Sequence, residues 1–250
     1  MPPDISGPTW NNPELIAQFL QNVRGSVPLA IEQIDMMLRL VGAARGERVE
    51  RFLDLGCGEG ILSSALLAEH PSTEAWLVDL SPSLLARARQ QLHAHSGVRF
   101  IEANFSFPGW QEALASAAPF DAIVSALAIH PLPDWRKKAL YGELFALLKP
   151  EGIFINIEHV ASPTRWTESN WDDYMIDAIF GQSIQAAPGK TRAEIAREYY
   201  EQGSPGAHRL APLEVQCDWM REIGFENVDC YLKVLELAVF GGQRPAEEAR

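Results

Sequence analysis

Residues 51–60 read RFLDLGCGEG and run directly into ILSSALLAEH at 61–70. A short apolar run, then glycines at 56, 58 and 60, then apolar residues at helical spacing, reads as a strand, a tight turn and a helix. Glycine lets a ligand come close to the backbone, and the first turn of the helix offers N–H groups that no intrahelical carbonyl takes. The dinucleotide fingerprint spaces its glycines G-x-G-x-x-G, whereas here the spacing is G-x-G-x-G, with Ile61 where the third would stand. The lysine that a triphosphate-binding loop requires is missing, which disfavours a nucleoside triphosphate.

Outward from this turn the same alternation repeats. Strands are expected over 49–55, 74–80, 98–103, 120–126 and 153–160, with helices over 61–69, 82–93, 110–115 and 135–148 between them. Strands alternating with helices at this spacing form βαβ units, so the fold class is α/β with a doubly wound parallel sheet. Ligands in such sheets sit beyond the carboxyl ends of the strands. Over 161–212 the alternation stops, and WTESNWDDYMIDAIFG followed by KTRAEIAREYYEQ predicts a helical insertion that covers a substrate. A helix over 213–223, a turn at Gly224 and strands over 228–234 and 237–240 close the core. Upstream, Leu15, Ile16, Phe19 and Leu20, then Ile31, Ile34, Met37 and Leu38, predict two amphipathic helices broken at 25–28. The organisation expected is a helical arm over 1–45, a core over 46–160 and 213–245, and a lid over 161–212.

The 250 residues suffice for one buried core without disulfides. A formal net charge of −12, with no block of lysine or arginine, argues against nucleic acid, because that affinity is largely counterion release by cations. Cys57, Cys217 and Cys230 show neither close pairing nor metal-type spacing, so no metal is expected and a reducing, cytoplasmic setting is. The N-terminal MPPDISGPTW has no basic region before an apolar core, and no run of about eighteen apolar residues occurs, so neither export nor a membrane span is expected. A monomer or homodimer is expected.

The second strand, AWLVDLS, ends in Asp79, where a carboxylate can accept ribose hydroxyls, while Ser81 and Pro82 carry the capping chemistry of the next helix. With FLDLGCGEG, LVDLS, EANF, FDAIVSALAIH and LLKPEGIFI in order, the span 49–160 resembles the class I S-adenosylmethionine-dependent methyltransferases. REIGFENVDCYLKVLELAVFGG resembles the closing helix and strand pair of that family. The resemblance implies a seven-stranded, mostly parallel Rossmann-like sheet with an antiparallel last strand. It implies S-adenosylmethionine as cofactor, S-adenosylhomocysteine as product, and a small-molecule acceptor.

Residue by residue, it implies that Asp54, Gly56, Gly58 and Gly60 surround the methionine part, with Cys57 a small residue in the turn. Asp79 would hold the ribose hydroxyls and Leu80 would lie against adenine. Asn104 and Phe105 stand where the family commonly has an acid and an apolar residue; an amide oxygen can still accept from the adenine amine. Ser125 and Leu127 would line the methionine and sulfonium region. A sulfonium is positive, so Asp54 near the loop is tolerable where a phosphate would be repelled.

For chemistry, three residues at strand ends face the cofactor side: His130, Glu158 and His159. Histidine is the side chain that titrates near neutrality, so His130 is the first candidate base, with a loop anchor as its competing role. Glu158 and His159 alternate along a strand, so at most one of them easily faces the site. Trp10, Trp166, Trp171 and Tyr174 are placed either to wall an acceptor pocket or to form the core of the insertion. Arg165 and Arg209 are candidate partners for a substrate carboxylate. A transfer-RNA-modifying methyltransferase and a non-catalytic cofactor-binding regulatory module are the alternative functions. The accepting atom is not written in these motifs.

Overall fold

The computed structural model describes residues 27–46, 49–186, 189–201 and 209–247, so Trp10 and the first of the two expected N-terminal helices lie outside it. Seven strands, β1 (Arg51–Leu55), β2 (Glu74–Asp79), β3 (Val98–Glu102), β4 (Phe120–Ala126), β5 (Leu148–His159), β6 (Glu226–Val234) and β7 (Leu237–Gln243), form one sheet in the order β3-β2-β1-β4-β5-β7-β6. All neighbours pair in parallel except β7, which is antiparallel to both β5 and β6. This is the doubly wound α/β sheet with an antiparallel last strand that the family resemblance implies.

The central strands are covered on both faces, which is why they read as continuous apolar runs: every residue of FDAIVSA in β4 is buried. On one face α1 (Ala30–Arg45) buries Ile34, Met37, Leu38 and Val41, a stripe at helical spacing, against α2 (Ile61–Glu69). Each such side chain contributes roughly 1.5–3 kcal/mol. On the other face α4 (Asp134–Leu147) and α7 (Leu213–Ile223) bury Tyr141, Leu144, Cys217 and Met220 over Phe154 and Phe240. α3 (Pro82–Gln91) starts as expected, with Pro82 in its first turn and Ser81 Oγ accepting from Leu84 N at 3.4 Å.

Most boundaries shift by one to three residues, and two differences go further. Residues 110–114 form a 3-10 turn (Trp110–Leu114), too short to propagate an α-helix. β5 begins at Leu148, five residues early, because a shift in register after Phe120 lets Phe120 pair with Leu148 before Ala122 pairs with Ile153. Beyond β5 the insertion is helical, as α5 (Arg165–Ala186) and α6 (Arg192–Glu201).

At the amino ends of the strands, the fully buried Asp121 accepts from Glu50 N, Arg51 N, the Arg45 guanidinium at 2.6 Å and Lys149 Nζ at 3.0 Å. Burial pushes its carboxyl up, but the bonds from Lys149 and Arg51 N and the charges of Lys149 and Arg45 prevail, so it sits below the ordinary carboxylate value. The opposite, carboxyl end is left for ligands. There the chain leaves β1 toward β2 and β3 and returns to β4 on the other side, and a crevice opens between β1 and β4.

Candidate cofactor and acceptor site

A cleft of about 600 Å³ occupies this crevice, lined by Gly56, Cys57, Gly58, Asp79, Leu80, Phe105, Leu127 and Ala128 among others. The glycines are there for two different reasons. At Gly56, with φ of +68°, an added Cβ would stand 2.2 Å from the Ala128 Cβ, so the loop passes against the 127–128 segment at a distance only glycine permits. At Gly58, with φ of +54°, an added Cβ would meet nothing within 4 Å, so here the left-handed backbone is what requires glycine. Gly60 caps α2 beneath the loop.

Asp79 accepts from Gly58 N at 2.9 Å through one carboxylate oxygen and from Ser81 N at 2.8 Å through the other. Its remaining lone pairs are those a ribose diol would use. Leu80 is 58% exposed, a large apolar surface lining the cleft. Phe105 is buried and packs edge-on to Trp110 at 6.4 Å. Asn104 is exposed, and its side-chain oxygen accepts from Ser106 N, which leaves the amide N–H groups for a ligand. Burial, then the charges of Asp54 and Asp79, raise the Cys57 thiol far above its ordinary value, so this sulfur is an inert wall.

Two of the expected cofactor residues act from beneath the cleft. The buried Asp54 carboxylate accepts from Ser63 Oγ at 2.7 Å and Ser63 N at 3.2 Å, fixing the first turn of α2. Ser125 Oγ donates to Leu55 O at 2.8 Å, tying β4 to β1. The 126–128 segment continues past it to form the wall, with Leu127 N donating to Ile157 O.

Next to that segment Glu158 organises the candidate chemistry. Fully buried at the end of β5, its carboxylate accepts from Ile129 N (2.8 Å), His130 N (2.9 Å) and His159 N (2.8 Å), and meets His130 Nδ1 at 2.7 Å. A carboxylate committed as acceptor to three main-chain N–H groups makes His130 Nδ1 the protonated nitrogen and leaves the lone pair on Nε2. His159 forms a second pair, its Nε2 lying 2.6 Å from Glu236 Oε2. The two imidazoles meet edge to face at 5.9 Å. Strand alternation therefore does not separate them: Glu158 reaches the 129–130 loop, while His159 turns to the β6–β7 turn.

Of the aromatic residues, Trp171 is buried with its ring 5.2 Å from His159, and Tyr174 follows at 6.5 Å. Trp166 is 74% exposed, and Arg165 is also exposed. Arg209 is exposed and donates to Pro131 O, next to His130, while its carbonyl accepts from the buried Lys137. Trp10 lies outside the described residues.

Sequence reasoning missed Glu236, which reaches His159 from a turn 77 residues away. It also missed Arg136. This buried arginine pairs bidentately with Glu143 at 2.6 and 2.8 Å and donates to Phe105 O and Phe107 O, while Trp110 Nε1 donates to the same Glu143. The arrangement clamps the Phe105 wall of the cleft to α4, and an arginine in the charged stretch DWRKK carries no local sign of it.

A mostly parallel sheet with this glycine loop and an acid at the tip of β2 is an arrangement suited to a nucleoside, and Arg87, the cation among the described lining residues, is paired with Glu59. Residues 52–152 match a family described as a methyltransferase domain. The chain is 25% identical over 236 residues to carboxy-S-adenosyl-L-methionine synthase of Chromohalobacter salexigens, covering 90% of this chain and 79% of that protein. It is 32% identical over 122 residues to trans-aconitate 2-methyltransferase of Escherichia coli, 49% of this chain and 42% of that enzyme, so it spans less than half the length of this relative. An O-methyltransferase family protein from Burkholderia thailandensis shares the fold with a TM-score of 0.58 at 18% identity, over 93% of this chain and 63% of that one. The matched region and the fold are those of S-adenosylmethionine-dependent methyltransferases of class I Rossmann-like fold, whose cofactor is S-adenosylmethionine. The open Gly58 backbone and the unfilled lone pairs of Asp79 fit that cofactor. No helix among the described residues is long and apolar enough to cross a membrane.

Proposed function

We propose that the protein methylates a small-molecule acceptor, with His130 as the base and with α5 and α6 as a lid over the acceptor. When bound, S-adenosylmethionine supplies a methyl carbon whose bond to the sulfonium breaks as the bond to the acceptor forms, the electron pair leaving with sulfur. Gly56, Gly58, Asp79, Leu80 and Phe105 would hold it along the cleft. His130 Nε2 takes the acceptor's proton, and Glu158 keeps the ring in the tautomer that can do so and stabilises the imidazolium that results.

The observation that carries this reading is the His130–Glu158 pair at 2.7 Å, three residues past Leu127 in the cleft wall. The net charge of −12 favours a small acceptor over a nucleic acid. The test is a screen of small acceptors for S-adenosylhomocysteine release, followed by His130→Asn on the acceptor that turns over. The expected loss is about 10²–10⁴ in kcat, with calorimetric S-adenosylhomocysteine affinity unchanged. An unchanged kcat would remove His130 from the chemistry. Asp79→Ala abolishes cofactor binding if the cleft is correctly assigned.

A further inference from the structure

The second carboxylate–imidazole pair has no part in the reaction as proposed, and its hydrogen-bonding pattern constrains the acceptor. Glu236 is 3% exposed, so His159 is oriented by a carboxylate as His130 is by Glu158. With those carboxylates as acceptors, His130 Nδ1–H and His159 Nε2–H are the donors, and each ring keeps one lone pair, on His130 Nε2 and on His159 Nδ1. Neither of these nitrogens has a hydrogen-bond partner among the described residues. Neither is among the buried unpartnered atoms of the described residues. Trp171, 3% exposed and 5.2 Å from His159, contributes the opposite requirement: its indole N–H is buried without a partner.

The site therefore presents two acceptors and one donor. A carboxylate satisfies the indole N–H but has no proton for the imidazole lone pairs. An ammonium has protons for the imidazoles but no lone pair for the indole. A hydroxyl donates and accepts at once. Charge points the same way. Glu158 and Glu236 lie behind the two rings, and Asp172 on the lid stands near Glu236, where burial and that neighbour push its carboxyl up against the Tyr199 hydroxyl that donates to it. An anionic acceptor meets this negative charge, while the candidate cation Arg209 is exposed and hydrogen-bonded to Pro131 O.

Resting on the methyltransferase reading above, we infer that the acceptor is a neutral molecule bearing two neighbouring hydroxyl groups, one held by His130 Nε2 and the other by His159 Nδ1. The hydroxyl on His130 is the one that is methylated. The hydroxyl on His159 stays free and fixes the acceptor's orientation. His159 is then a specificity residue, and Glu236 is a positioning residue that acts through it.

The test uses the full chain saturated with S-adenosylhomocysteine, titrated with catechol, phenol and trans-aconitate. Catechol is expected to bind at least tenfold more tightly than phenol, with no binding of trans-aconitate. In Glu236→Gln and in His159→Phe the catechol-to-phenol ratio is expected to fall to within about twofold of one, while S-adenosylhomocysteine affinity stays unchanged; a role confined to folding would leave that ratio alone. Equal binding of catechol and phenol, preferential binding of trans-aconitate, or no binding of catechol overturns the inference and leaves the cofactor assignment standing. Failure of S-adenosylhomocysteine to bind overturns both.

Discussion

Gly56→Ala measures how tightly the cofactor loop is fitted to the wall opposite. The substitution places a side chain at φ of +68°, which costs about 1–2 kcal/mol for a residue other than glycine. Its Cβ would also lie 2.2 Å from the Ala128 Cβ, where carbon atoms prefer about 3.5–4.0 Å. The 127–128 segment must therefore retreat by more than an ångström, an overpacking that costs about 1–3 kcal/mol more. The total expected is about 2–5 kcal/mol, read as a fall in the urea midpoint at constant slope. Gly58→Ala is the internal control: φ is +54° but the new Cβ meets nothing within 4 Å, so only the backbone cost of about 1–2 kcal/mol applies. Adding Ala128→Gly to Gly56→Ala removes the collision and returns the protein to the level of Gly58→Ala. Ala128 lines the cleft, so Gly56→Ala alone also weakens S-adenosylhomocysteine binding. If Gly56→Ala is no more destabilising than Gly58→Ala, or if Ala128→Gly rescues nothing, the close approach of loop and wall is refuted.

Arg136→Met breaks a buried ion pair and frees Phe105, so about 3 kcal/mol of stability should be lost, the low end for such pairs because Glu143 keeps some contact with water. Calorimetry should show weaker cofactor binding, and Arg136→Met with Glu143→Leu should recover most of the stability but not the affinity. Asp121 has its folded pKa below its unfolded one, so its contribution is present above about pH 3.9 and disappears as pH falls through the folded value. Asp121→Asn should therefore lower the melting temperature at pH 7 and leave a flatter acid limb in a plot of melting temperature against pH. An unchanged acid limb would exclude Asp121 as a major acid-labile contact.

What the sequence disclosed follows the reach of the constraint behind it. The glycine loop, Asp79 and the Ser81–Pro82 start of α3 were legible because each answers a backbone requirement set by the residues beside it. The buried strands were legible because covering both faces of the sheet leaves continuous apolar runs. The early start of β5 was not, since KPEG reads as a turn and only the register with Phe120 draws Leu148 into the sheet. Asp54 and Ser125 were expected at the cofactor from the family resemblance, and their side chains bond to Ser63 and to the Leu55 carbonyl. Glu236, Arg136 and Glu143 are unremarkable charges in their local stretches and have partners 77, 31 and 33 residues away.

Glu158 serves main chain and side chain with the same two oxygens. The carboxylate that orients His130 also ends the orphaned N–H groups of Ile129, His130 and His159, so it shapes the loop that carries the imidazole as well as the imidazole itself. A change at this position therefore moves the His130 ring and the loop that carries it together. One glutamate thereby joins the folding of the 129–130 loop to the placement of the His130 ring.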